Sequence, residues 1–279
     1  MYRQKIGVSV SNGYKIPTAE LVPILKKIGF DAISPSWEGA DLGAIVRAAR
    51  EVDITLESLH APYHSSDDIW SPNATVGDAF LEKLLASLAD AKRYAISTLV
   101  VHACELPDEN FPVTEEGLCR FDALVEKAEA YGIRIALENT GGAHLLSALM
   151  ARYRDKAVVG FCFDSGHEMC YSHGEDLLAL YGDRLLVTHL NDNLGVGAFD
   201  GEISWCDDLH LLPYDGVLDW NDIVTRLRRA RPLACINLEV GINSRPARHE
   251  NDKYMRLSLE EYFTEAYNRA CRVAYRYAK

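Results

Sequence analysis

The chain has 279 residues, of which 48% are hydrophobic and 25% charged, with 41 acidic against 29 basic side chains and a formal charge of −12. This is enough apolar material for a sizeable core, and a (β/α) barrel commonly takes about 250 residues as one unit, so a single domain over 1–279 is expected. The acidic balance argues against broad binding to DNA or to an anionic membrane surface, and seven cysteines without a C-x-x-C pair read as reduced thiols rather than a disulfide frame.

From the N-terminus, MYRQKIGVSV runs straight into a strand-like segment with no long apolar region and no small-residue cleavage site, so the expected location is cytoplasmic, without a transmembrane helix. Short runs rich in Val, Ile and Leu then alternate with longer amphipathic stretches. Strands are predicted at 6–10, 32–35, 55–60, 98–103, 134–138, 158–164, 185–190 and 235–239. Helices are predicted at 18–28, 42–51, 76–94, 114–131 and 218–230, with Gly29, Gly132 and Gly182 at C-cap positions. Eight βα repeats predict an α/β fold, a (β/α)8 TIM barrel of parallel strands. The stretch 191–216 is too long for a simple connection and reads as a functional loop over the barrel mouth. A closing helix at 258–278 should face the barrel with Leu259, Phe263, Ala270 and Val273, and its tyrosines could serve a homo-oligomer contact.

Nine acidic and histidine residues sit at or just after the ends of apolar runs: His60, His102, Glu138, Asp164, His167, His189, Asp208, His210 and Glu239. A parallel barrel gathers its strand ends at one mouth, and these side-chain types are ligands of divalent ions. Glu138, Asp164, His189 and Glu239 end strands five to eight. Unpaired, their carboxylates would repel one another and lose hydration, so together they suit one Mn²⁺, Mg²⁺, Co²⁺ or Zn²⁺ ion. His60 and His102 could share Glu138 in a second site. His167 could join Asp208 and His210, a D-x-H pair whose side chains share one face of an extended loop, in a third. Alternatively, these five bind substrate oxygens or orient the ligands. The charge density of the central group predicts one tightly held ion, with any second or third weaker or absent.

Trp37, Tyr63, Trp70 and Phe199 are candidates for shaping a substrate pocket. Arg245 and Arg248 follow the eighth strand, where barrels frequently hold phosphate, and could read a phosphate or carboxylate. Arg226, Arg228, Arg229 and Arg231 cluster on the seventh helix or its end, where a solvated face is expected rather than a nucleic-acid groove.

The segments HAPY (60–63), VVHACE (100–105), LENT (137–140), FCFDSGHE (161–168), HLNDN (189–193), DLHLLPYDGVLDW (208–220) and LEV (238–240) resemble the xylose isomerase-like TIM-barrel superfamily, over nearly the whole chain. That superfamily includes sugar and sugar-phosphate isomerases and epimerases and the endonuclease IV type of abasic-site nuclease. The resemblance to its ketose 3-epimerase branch implies a metal held by Glu138, Glu239, Asp164 and His189, with the two glutamates moving the proton next to a carbonyl. Where that branch usually presents arginine, this chain has His210. All nine candidate positions also match the trinuclear zinc set of the nuclease branch, although the opening lacks that family's Ser- and Gly-rich pattern. The implied activity is a divalent-metal-dependent isomerase or epimerase acting on a small carbohydrate, with neither nucleic acid nor membrane as partner. The alternatives are abasic-site phosphodiester cleavage and a lyase reaction on an oxidised sugar.

Overall fold

The computed structural model describes residues 4–105, 111–195 and 205–279. Its strands are β1 (Lys5–Val10), β2 (Ala32–Pro35), β3 (Thr55–Leu56), β4 (Leu59–His60), β5 (Thr98–His102), β6 (Arg134–Glu138), β7 (Val159–Asp164), β8 (Leu185–His189) and β9 (Cys235–Leu238). All the paired strands run parallel, in the orders β3-β2-β1-β9 and β4-β5-β6-β7-β8. Two bridges, Ser36 with His60 and Leu190 with Leu238, join the two sheets. The result is a (β/α)8 barrel in which one predicted strand, 55–60, is split. At Glu57 and Ser58 that strand changes neighbour, β3 pairing with β2 and β4 with β5.

The helices are α1 (Thr18–Ile28), α2 (Leu42–Glu51), α3 (Ala74–Tyr94), α4 (Glu115–Tyr131), α5 (Ala143–Arg152), α6 (Ser165–Tyr171), α7 (Leu177–Tyr181), α8 (Trp220–Arg229) and α9 (Leu259–Tyr277). Their starts follow local side-chain chemistry. Asp41, Asn73, Thr114 and Asp219 each accept a bond from an otherwise orphaned first-turn amide, and Ser258 with Glu261 forms a capping box. In α9, Phe263, Ala270 and Val273 are buried and Leu259 partly so, but Tyr262 is buried as well. The tyrosines of this helix therefore do not form one outward face; Tyr275 is the exposed one. Among the described residues no helix is long and apolar enough to cross a membrane.

Period-two geometry sets up the site. Val100, Ala136, Cys162 and Val187 form one small buried cluster, and two residues further along the same strands stand His102, Glu138, Asp164 and His189. An apolar layer inside the barrel thus supports a polar layer at its C-terminal rim. On the opposite side the supporting layer is polar: Ser58 Oγ donates to Ser34 Oγ (3.0 Å), and Asn237 Nδ2 donates to Ser9 Oγ (3.1 Å). Gly7 leaves room for that asparagine, since a Cβ there would lie 2.7 Å from Asn237 Oδ1.

Candidate functional site

Glu138 is the centre of the arrangement, and its side chain is fully buried. Its Oε2 lies 3.3 Å from Nε2 of His60 and 3.3 Å from Nε2 of His102. Its Oε1 lies 3.0 Å from Nδ1 of His189 and 3.4 Å from Nδ1 of His167. His189 Nδ1 also faces Glu239 Oε2 at 3.2 Å. A second focus forms at Asp208 Oδ2, which is 3.0 Å from both His167 Nε2 and His210 Nε2.

The tautomers are legible from the backbone. His60, His167 and His210 each donate Nδ1–H to a main-chain carbonyl, those of Ala61 (2.7 Å), Asn139 (2.9 Å) and Glu239 (3.0 Å). In the neutral ring this leaves the Nε2 lone pair aimed at a carboxylate, an arrangement that repels unless a proton or a cation lies between. Carbonyl-anchored imidazoles beside buried carboxylates are what metal ligands require. Ligand atoms converge in three groups, each within 4.8 Å: His60, Glu138 and His189; His167, Asp208 and His210; and Glu138, Asp164, His189 and Glu239. The donor set fits a divalent metal.

Electrostatics tell the same story. Burial opposes ionisation of Glu138, but the charges of His189 and His102 outweigh it and hold the carboxyl well below its ordinary range. Burial also acts against Glu239, where His189 prevails and brings the carboxyl to about 2. Asp164 goes the other way, to about 7, because burial, Glu138 and Asp208 outweigh the pull of His167 and His210. For His210, burial disfavours the charged ring, but Asp208 raises it to about 9.

The supporting residues come from the motif neighbours. Asp164 caps α6, its Oδ1 accepting the His167 amide at 2.7 Å, while its Oδ2 accepts from Asn191 Nδ2 at 2.7 Å. Asn139 clamps the end of β7 by accepting from Asp164 N and donating to Asp164 O, both at 2.8 Å. Gly166 is required by this packing, since a Cβ would stand 2.0 Å from Asn191 Oδ1. Buried Asp192 accepts from the amides of Asn193, Tyr214 and Leu218 and from the Trp220 indole, so it fastens the loop that follows Asp208 and His210. Asp208 and His210 do converge, but not by simple strand alternation. His210 has φ 49, a left-handed backbone uncommon outside glycine, which aims its ring at Asp208.

A cavity of about 520 Å³ opens beside these groups. His60, His102, His167, Asp208, His210 and Glu239 line it, whereas Glu138, Asp164 and His189 lie beneath. Tyr63 and Arg245 also line it. The other expected substrate contacts lie elsewhere. Trp70 is 1% exposed, donates its indole N–H to Ala103 O at 2.7 Å and packs on Phe121, so it belongs to the core. Trp37 gives its indole N–H to Asp90, and Arg248 pairs with Asp207; neither lines the cavity. Phe199 and part of the 191–216 loop lie outside the described residues. Of the clustered arginines, Arg226 is held by Glu168, Asp176 and Asp222, and Arg228 by main-chain carbonyls of α9. Sequence reasoning missed a wall of hydroxyls, Ser9, Ser11, Ser34 and Ser36, for which S-x-S at the ends of two consecutive strands was the available signal.

A family model described as a xylose isomerase-like TIM barrel matches residues 22–261. The chain belongs to that family. The chain is also similar to the uncharacterized protein y4fM of Sinorhizobium fredii (strain NBRC 101917 / NGR234), 31% identical over 191 residues, 62% of this chain. The match takes in 57% of that relative, so the chain spans little more than half the length of the curated protein it matches. In structure it is similar to the IOLI protein with a binding zinc atom, at a TM-score of 0.75 and 15% identity, covering 97% of this chain and 98% of that one. It is also similar to a D-tagatose 3-epimerase-like protein, at a TM-score of 0.65 and 21% identity, covering 94% and 98%. At these identities the likeness is one of fold.

Proposed function

We propose that this protein is a divalent-metal-dependent isomerase or epimerase of a sugar or sugar derivative, working by proton transfer at the carbon next to a carbonyl. The observation that carries the reading is the position of Glu239: it belongs to the central ligand group and also lines a cavity walled by serine hydroxyls. Glu138, Asp164, His189 and Glu239 would hold the ion. A bound divalent ion would supply polarisation of a substrate carbonyl.

The rest falls to the side chains. With its side chain 22% exposed and its carboxyl ionised, Glu239 is placed to take a proton from a substrate carbon. Glu138, expected from the resemblance to be its partner in proton transfer, lies under four imidazoles and does not reach the cavity wall, so its role here is chiefly to hold the cation and order the histidines. His210 and His60 reach the cavity with their rings fixed by carbonyls and can orient substrate oxygens or hold a proton. Ser9, Ser11, Ser34 and Ser36 offer donors and acceptors to a polyol chain.

The test is substrate-agnostic. Metal-supplemented protein is incubated in D₂O with a panel of ketoses and aldoses, and deuterium at the carbon next to the carbonyl is read by NMR. Incorporation that disappears in Glu239→Gln is expected. No incorporation with any sugar, together with metal-dependent incision of an abasic duplex, would overturn the reading. That second activity is kept in view by one observation, the convergence of all three ligand groups. Against it stand the net charge of −12 and the engaged Arg226 and Arg228. A lyase is separated by mass, since an epimer keeps its mass and an eliminated product does not.

A further inference from the structure

Behind the hydroxyl wall of the cavity, a chain of hydrogen bonds runs in one direction. Ser58 Oγ donates to Ser34 Oγ (3.0 Å), Ser34 Oγ donates to Asn237 Oδ1 (3.4 Å), and Asn237 Nδ2 donates to Ser9 Oγ (3.1 Å). The amide is held this way round, because its Nδ2 also lies 3.3 Å from Leu238 O and a carbonyl oxygen only accepts. Asn237 is fully buried and pinned from β8, its N–H donating to Thr188 Oγ1 (3.1 Å) and its carbonyl accepting from that hydroxyl (3.3 Å). Half-buried Ser9 ends the chain and lines the cavity. Its oxygen accepts from Asn237, and its hydroxyl meets no other partner among the described residues. A hydroxyl has a single proton, and this one is left for an occupant of the cavity. Its place on the wall matters too: β1 pairs with β9 through Val8 and Leu238, and one residue further along each chain stand Ser9 and Glu239, both lining the cavity.

We propose that Ser9 determines specificity by donating its hydroxyl proton to a substrate oxygen, the one borne by the carbon that follows the carbon Glu239 deprotonates. Asn237 is the positioning residue that keeps Ser9 a donor. This rests on the sugar-enzyme reading above and narrows its substrate class to sugars that carry an oxygen at that carbon. Neighbouring strands lie about 4.8 Å apart, so side chains at matching positions on β1 and β9 serve adjacent parts of one small molecule. A substrate lacking the oxygen leaves the Ser9 proton facing carbon, which costs more than the bond itself is worth. Because the donor is oriented before binding, little freedom is lost when the substrate arrives. Gly7 is part of the device, since a Cβ there would lie 2.7 Å from Asn237 Oδ1 and displace the amide.

The probes are D-fructose, D-tagatose, D-psicose and D-sorbose, titrated calorimetrically into the metal-supplemented full chain; the tightest is then compared with its 4-deoxy and 6-deoxy analogues. In a 2-ketose that loses its proton at C3, the following carbon is C4. Wild type should bind the parent sugar about tenfold more tightly than the 4-deoxy analogue, with a smaller loss for the 6-deoxy one. Ser9→Ala should lower affinity for the parent about tenfold and leave affinity for the 4-deoxy analogue unchanged, a pattern that general damage to the site would not give. Asn237→Asp, whose carboxylate would take the Ser9 proton, should behave alike; should it fail to fold, Ser9→Ala decides alone. Equal binding of parent and 4-deoxy sugar by wild type overturns the subsite. So does an equal loss for both sugars in Ser9→Ala, or no binding of any of the four ketoses. Deuterium exchange at C3 is read alongside. Ser9-dependent binding without exchange keeps the contact and counts against the epimerase reading, whereas exchange with no dependence on Ser9 does the reverse.

Discussion

Glu239 and Glu57 show how the same side chain is turned to opposite ends by its surroundings. At Glu239 the neighbouring imidazole keeps the carboxyl ionised against burial, as a cation ligand requires, although so low a value leaves it a weak proton acceptor. Replacing it with Gln should lower turnover by about 10²–10⁴-fold, the usual worth of a general base, while far-UV circular dichroism stays unchanged. Glu57, where the third strand is split, has burial as its dominant influence; Cys235, His189, Arg134 and Lys5 only partly offset it, and the carboxyl rises from 4.5 to about 7. The unfolded chain releases this proton near the ordinary value, whereas the fold keeps it until about 7. Its contribution to stability is therefore fully present below 4.5 and is lost as pH rises through 7. Thermal unfolding from pH 5 to 8 should show a smaller loss of Tm in Glu57→Gln than in wild type, and parallel curves would refute the assignment.

Elements are positioned by a few buried anchors. Asp192 satisfies the amide of its neighbour Asn193 together with two amides and one indole N–H, those of Tyr214, Leu218 and Trp220, from the segment that follows Asp208 and His210. Asp192→Ala would leave those donors buried and unpaired, at about 1–3 kcal/mol for a neutral donor, so a loss of several kcal/mol is expected in urea unfolding. The same variant should release metal from the His167, Asp208 and His210 group before the central one, as metal analysis after dialysis would show. On the far side, α4 approaches the Trp70 turn so closely that a Cβ on Gly117 would lie 2.3 Å from Trp70 Cε3. Gly117→Ala should cost about 1–3 kcal/mol by overpacking, with little effect on metal content.

For the whole molecule, the ligand groups and the net charge set the expectations. The central group has three carboxylates and the outer groups fewer charges, so one ion per chain should survive dialysis, with any further ions labile. Stripping that ion with a chelator should lower Tm, because a ligand present at a thousandfold its Kd stabilises the fold by about 4 kcal/mol. Close to three zinc ions retained per chain would contradict this and favour phosphodiester cleavage. The formal charge of −12 predicts no measurable retention on duplex DNA at moderate salt.

The barrel was legible in the sequence because its signals are local. Val-, Ile- and Leu-rich runs alternate with amphipathic stretches, and strand ends carrying Glu138, Asp164 and His189 mark the rim because side chains alternate along a strand. The partner change at Glu57 and Ser58 was not legible, since it depends on which neighbours a twisted sheet presents to each half of the strand. Nor could spacing assign Trp70 to the core and Tyr63 to the cavity, because side-chain direction in irregular segments is set by what packs against them. The left-handed turn at His210, the carbonyls that fix three imidazole tautomers and the shared place of Glu239 in ligand group and cavity wall are likewise tertiary facts. Residue types and their order along the chain determined which chemistry was available. Contacts between segments far apart in sequence decided which atoms face one another, and with them which carboxylate is exposed to a substrate.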